Sequence, residues 1–135
     1  MPQVHINLLA VLAAAVANMI IGSVWYSPSV FGKTWMGLIG KRVEDMKGGA
    51  GPAYAAAFVV ALILAYVLAH FVGYTQAYSL GQGIQLGFWV WLGFVATTST
   101  GDYIFAGRPR QLYFINNGYH LVTLLVNGAL LSAWR

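Results

Sequence analysis

Long apolar runs separated by short polar breaks organise the chain. The first run covers residues 4–26, VHINLLAVLAAAVANMIIGSVWY, and carries no formal charge. Three more cover residues 53–73, about 80–98 and 112–134. An α-helix rises about 1.5 Å per residue, so about 20 residues cross a hydrocarbon layer of about 30 Å. Each run therefore predicts a membrane-spanning helix. Ahead of the first stands only Met1-Pro2-Gln3, without the basic leader of a signal peptide, and the run exceeds a typical signal core. It predicts a retained helix.

The breaks have readable chemistry. Ser27-Pro28 ends the first run, because proline lacks a donor and disfavours helix at the residue before it. Phe31, Trp35 and Leu38 then recur at helical spacing around Lys33, which predicts a short helix lying in the interface. A polar stretch from Lys41 to Gly51 follows, and Pro52 suits the first turn of the next helix. Tyr74 to Ser79 forms a short uncharged turn. Ser99-Thr100-Gly101-Asp102 is expected to break the third helix, with residues 103–106 interfacial and Gly107-Arg108-Pro109-Arg110 a loop. The predicted fold is all-α: one domain over residues 1–135, an integral membrane bundle of four transmembrane helices with a short interfacial helix after the first.

Composition agrees with lipid contact. The chain is 59% hydrophobic and 7% charged, whereas soluble domains carry about 25% charged residues. Too few charges remain to cover a water-facing surface. Cysteine is absent, which excludes disulfides, thiolate metal sites, thiol nucleophiles and cysteine lipidation. Lys33, Lys41, Arg42, Lys47, Arg108 and Arg110 fall in the first and third breaks, on one side of a four-span protein, and Arg135 falls on the other. That asymmetry predicts an inner-membrane, multi-pass protein with those loops cytoplasmic and both termini outside. No basic tract interleaved with aromatics points to nucleic acid as a partner.

Helix faces add detail. Alanines 53, 57, 61, 65 and 69, then Gly73, form one stripe on the second helix, and we take Ala57, Ala61, Ala65 and Ala69 as packing positions. Ala10, Ala14, Asn18 and Gly22 form a similar stripe on the first, and Gly83-xxx-Gly87 one on the third. A narrow small-residue pore is the alternative reading. Asn116, His120, Thr123 and Asn127 share one face of the fourth helix, with Asn117 about 100° away from Asn116. Polar groups at membrane depth need partners, since no water reaches them. These residues are either glue, bonded to Asn18, Thr97, Thr98 or a backbone carbonyl, or a ligand or proton site. Trp89 and Trp91, about 200° apart, face different neighbours: a partner protein or lipid, or else a flat ligand.

Catalysis finds little support, and a membrane enzyme acting on a lipophilic substrate is the third and least favoured class. No Ser/His/acid set, metal-spaced histidines or P-loop is present. Glu44 and Asp45 read as a solvated loop pair, and Asp102 as a partner for Arg108 or Arg110. We expect no catalytic residues, metal or cofactor.

The segment GSVWYSPSVFGKTWM at residues 22–36 resembles the signature of a bacterial family of small membrane proteins, domain of unknown function 1761. WLGFVA at residues 91–96 and GRPRQLYFINNGYHLV at residues 107–122 resemble its later segments. The matching positions are Gly22, Trp25, Tyr26, Phe31, Gly32, Trp35, Gly93, Asn116, Gly118 and Tyr119. The resemblance implies a four-helix membrane protein and transfers no activity. The expected function is a non-enzymatic packing module with the lipid bilayer as its surroundings. It would form a homo-oligomer or serve as an accessory subunit of a larger membrane complex. The alternative is a small-solute or proton transporter or channel using the polar face of the fourth helix.

Overall fold

The computed structural model describes residues 1–40 and 50–135, and among them every regular element is helical. Residues 41–49 of the polar stretch lie outside the described residues.

Helix α1 (Leu8–Trp25) starts later than the apolar pattern suggests. The Asn7 side chain caps it, accepting from the N–H groups of Leu9 and Ala10 at 3.1 and 3.3 Å. An asparagine there satisfies donors that lack a helical partner, so the turn forms there and not at residue 4. Helix α2 (Gly32–Ile39) is the expected short helix and stops at Gly40, whose φ of 75° is left-handed. Helix α3 (Ala50–Thr75) holds Pro52 in its first turn. Helix α4 (Leu80–Val90) opens on a capping box, in which Ser79 and Gln82 satisfy each other's backbone donors.

The expected break at residues 99–102 does not occur. From α4 the backbone runs through a π-helical segment (Trp91–Ala96) into α5 (Thr97–Phe105). The hydroxyls that suggested a break turn back onto their own helix. Thr97, Thr98, Ser99 and Thr100 donate to the carbonyls four residues earlier, at 2.6, 2.6, 2.8 and 2.6 Å. Serine and threonine satisfied this way do not compete with the helix backbone. The chain turns at Gly107 instead, with φ of 69°, and α6 (Arg110–Ala133) begins after Pro109.

Helix α6 is the axis, packed against α1, α3 and α4. On one side Ala10, Val11 and Ala14 of α1 and Ala65, Leu68 and Val72 of α3 meet Leu124 and Leu131 in an apolar core. On another, α4 and α6 touch backbone to backbone. A Cβ added at Gly83 would collide with the Gly128 carbonyl and the Ser132 side chain, and one at Gly87 with the Leu124 carbonyl. The third long helix thus packs chiefly on the fourth, and the helices fan around α6.

The alanine stripe of α3 splits. Ala61 and Ala65 are buried and Ala69 is half-buried, but Ala57 and Ala53 are exposed. Only the C-terminal half of the stripe faces the chain's own core, because α1 and α6 cover α3 only there. Leu8–Trp25 and Gly51–Thr75 are long and apolar enough to cross a membrane.

The α4–α6 crossing makes a sharp prediction. Gly83→Ala puts a methyl into backbone and should cost about 1–3 kcal/mol, as overpacking does. Gly81→Ala meets nothing within 4 Å and should be neutral or stabilising by up to about 1 kcal/mol. Thermal unfolding in mild detergent compares them; equal effects would remove the close crossing.

Candidate functional site

The most chemically dense region lies where the ends of α1 and α5 meet the start of α6. Its local cause is the turn after α1. Ser27 donates to the Val24 carbonyl at 2.7 Å, the Phe31 N–H to the Trp25 carbonyl at 3.1 Å, and the Gly32 N–H to the Ser27 carbonyl at 2.8 Å. A Cβ at Gly32 would strike the Tyr26 carbonyl, so the chain can double back this tightly only on glycine. The turn lays Phe31 on Trp25 and Trp35 on Tyr26, with ring centroids 4.8 and 5.2 Å apart.

So buttressed, Trp25 and Tyr26 reach α6. The Trp25 indole N–H donates to the Ile115 carbonyl at 3.0 Å. Its ring covers Gly118, where a Cβ would sit 3.1 Å from Trp25 Cζ2. The Tyr26 hydroxyl donates to Asn116 Oδ1 at 2.8 Å, and Asn116 Nδ2 donates to the Tyr103 hydroxyl at 2.9 Å. Asn116 therefore bridges the end of α1 to α5. Tyr119 donates to the Asn18 carbonyl at 3.3 Å and stacks beside Tyr26, 5.4 Å between centroids. Gly22 makes room, since a Cβ there would lie 3.2 Å from the Tyr119 hydroxyl.

A second set ties α6 to α5 and the π segment. The Trp91 indole donates to the Asn117 carbonyl at 2.9 Å, and Ser99 donates to Asn117 Oδ1 at 3.0 Å. The Tyr113 hydroxyl donates to the Ala96 carbonyl at 3.1 Å. π-Helical turns often sit at functional positions; here one lies between the two tryptophans and the serine–threonine run.

The sequence-predicted residues fare differently. Asn116 is bonded on both sides. Thr123 is buried and donates to the His120 carbonyl at 3.0 Å. The half-buried His120 ring rests 5.3 Å from Tyr119 and makes no hydrogen bond among the described residues. Asn127 is wholly buried, and among the described residues neither of its amide atoms, nor Asn18 Oδ1 or Ser132 Oγ, finds a partner. The partners expected on the glue reading are different ones. Thr97 and Thr98 bond their own helix, and Asn18 offers Tyr119 its backbone carbonyl. Gly93 has nothing within 4 Å of an added Cβ, and Trp89 is exposed. Asp102 pairs with Arg108 at 3.3 Å. Among the described residues no three histidine or carboxylate side chains could hold a metal.

Asn117, Ser99, Tyr103 and Tyr113 were missed as members of this cluster. The signal was indirect: tandem asparagines cannot both face one neighbour, and Trp25 and Trp91 each carry a donor that burial obliges to find an acceptor.

This arrangement defines a class: an all-α protein whose helices are clamped at one end by an aromatic and amide cluster. The chain belongs to the family described as Protein of unknown function (DUF1761), whose model matches residues 9–132. No curated protein matches the chain, and no solved structure does. Within the resemblance drawn from the sequence, Gly22, Trp25, Tyr26, Phe31, Gly32, Trp35, Asn116, Gly118 and Tyr119 come together in the clamp; Gly93 does not.

A double-mutant cycle tests the clamp. Tyr26→Phe and Asn116→Ala should couple by about 0.5–1.5 kcal/mol in unfolding free energy, the upper range for interhelical bonds. Tyr26→Phe with Asn127→Ala should be additive. Additivity in both pairs would show that the 2.8 Å bond holds nothing.

Proposed function

We propose that the chain is a polytopic membrane protein of four spans and works as a non-enzymatic packing module, without cofactor or metal. It assembles with itself or as an accessory subunit of a larger membrane complex. In this reading it is inserted in the inner membrane with both termini outside, as the loop charges favour. The observation that carries the reading is the uncovered half of the α3 stripe. Ala53 and Ala57 continue the line of Ala61 and Ala65, yet α1 and α6 do not reach them. In lipid, helices associate through close approach of small residues, not through escape from water. A small-residue surface left open by the chain's own helices is therefore suited to a helix from outside. The clamp supports a structural role as well, because its polar side chains are bonded to one another.

Ala57→Cys, in a chain without cysteine, should cross-link in native membranes to a second copy or a partner span. Ala57→Leu should leave the monomer's melting temperature unchanged while abolishing that association, whereas Ala65→Leu should destabilise the monomer by about 1–3 kcal/mol. A monodisperse monomer on blue-native gels, with no cross-link at position 57, would refute the assembly.

A second reading, transport of a proton or small solute along α6, draws on the unpaired amides of Asn127 and Asn18. Buried polar atoms without partners call for an explanation such as water or an ion. If it holds, Asn127→Leu and His120→Ala should each cut proteoliposome flux at least tenfold while leaving the fold intact. Flux at the level of empty liposomes in the unaltered protein would end it.

A further inference from the structure

The end of the molecule where α5 gives way to α6 carries an open cavity, closer to a surface groove, of about 550 Å³. Its walls include Arg108, Arg110, Tyr103, Tyr113, Ile104 and Phe114. The turn at Gly107 and Pro109 sets the two arginines at the cavity while the helices on either side supply the aromatic walls. Arg108 Nε lies 3.3 Å from the Asp102 carboxylate, an exposed pair that offsets one of the two positive charges. Arg110 meets no carboxylate among the described residues, so among them the cavity carries a net positive charge.

The surroundings are apolar and uncovered. Ile104 and Phe114, both at the cavity, are each 67% exposed. Two arginines beside two uncovered apolar side chains, Ile104 and Phe114, match an amphiphile with an anionic head better than a free anion, which would gain nothing from the apolar flank. We propose that this cavity binds the phosphate-bearing headgroup of an anionic membrane lipid, with the acyl chains along Ile104 and Phe114. The inference rests on the membrane reading above. Planar guanidinium groups suit phosphate oxygens, and basic pockets between membrane helices recognise such headgroups. The site is also joined to the clamp: Tyr103 lines the cavity and accepts from Asn116, which bridges to Tyr26. A bound headgroup therefore steadies the α5–α6 corner and, through it, the end of α1.

The test uses the full chain in nanodiscs of phosphatidylcholine with a minor share of phosphatidylglycerol, read by lipid retained in native mass spectrometry. The unaltered protein should retain phosphatidylglycerol in clear excess over its share. Arg108→Ala with Arg110→Ala should reduce that retention about tenfold or more. Arg110→Gln alone, which leaves the Asp102–Arg108 pair in place, should reduce it severalfold and serves if the double variant does not fold. Arg135→Ala, whose guanidinium lies 3.9 Å over the Tyr78 ring and not at the cavity, should change nothing. Equal retention of both lipids, or retention indifferent to the arginine substitutions, overturns the proposal. Inorganic phosphate that displaces phosphatidylglycerol at millimolar concentration overturns the lipid assignment in favour of a free phosphate. A protein that fails to enter nanodiscs at all overturns the membrane reading itself; one that enters and ignores headgroup chemistry overturns only this inference.

Discussion

Backbone contact between α4 and α6 constrains every other position in the molecule. Gly83, Gly87 and Gly128 carry no Cβ because there is no room for one. Interfaces of this kind draw their energy from dispersion and short dipolar contacts, which fall away steeply with distance. Once α6 is pressed on α4, its remaining faces are left for α1 and α3, and Leu124 and Leu131 are presented to Ala10, Ala14 and Ala65. The small residues on α1 and α3 let those helices come close in turn. The fan around α6 follows from its faces: a helix with small residues on one side and leucines on another can hold neighbours on both.

The clamp solves a different problem at one end of the same axis. Tyr26, Trp25, Asn116 and Tyr103 join the ends of three helices by directional bonds where close backbone packing is absent. Tight packing sets distance but little rotation; hydrogen bonds of 2.8–3.0 Å set rotation as well. Glycines at 22, 32 and 118 belong to the clamp for steric reasons, each lying beneath an aromatic ring or a carbonyl. Away from the clamp, Asn18 and Asn127 sit in the core with unpaired amide atoms. Amides at the clamp are thus satisfied, whereas Asn127 further along α6 and Asn18 on α1 keep unpaired atoms among the described residues, and that contrast gives the transport reading its one foothold.

Membership of the family described as Protein of unknown function (DUF1761) gives these features a shared frame without a reaction. The uncovered Ala53 and Ala57, the exposed Trp89 and the open surface at Gly93 are outward-facing. The clamp and the glycine crossing are inward-facing. The former are the positions that the proposed assembly would use, and the latter hold them in one shape.

The chain's own pattern determined that the fold is all-α, that Ser27-Pro28 ends the first helix, that a short helix follows, and that Asp102 serves a nearby arginine. These are local matters of periodicity, proline stereochemistry and loop charge, and a linear sequence records them directly. The Asn7 cap and the continuation through residues 99–102 are local too, but ambiguous. A hydroxyl or amide can bond its own helix or terminate it, and the residue's own type does not say which. Tertiary structure alone decided that the alanine stripe is half interior and half open, that Asn117 rather than Thr97 or Thr98 closes the polar network, and that Arg108 and Arg110 share a cavity with Ile104 and Phe114. Each depends on where one helix ends against another in space. Small residues and amides specify that a close contact or a hydrogen bond must form, but their side chains are too short and too alike to specify with which neighbour.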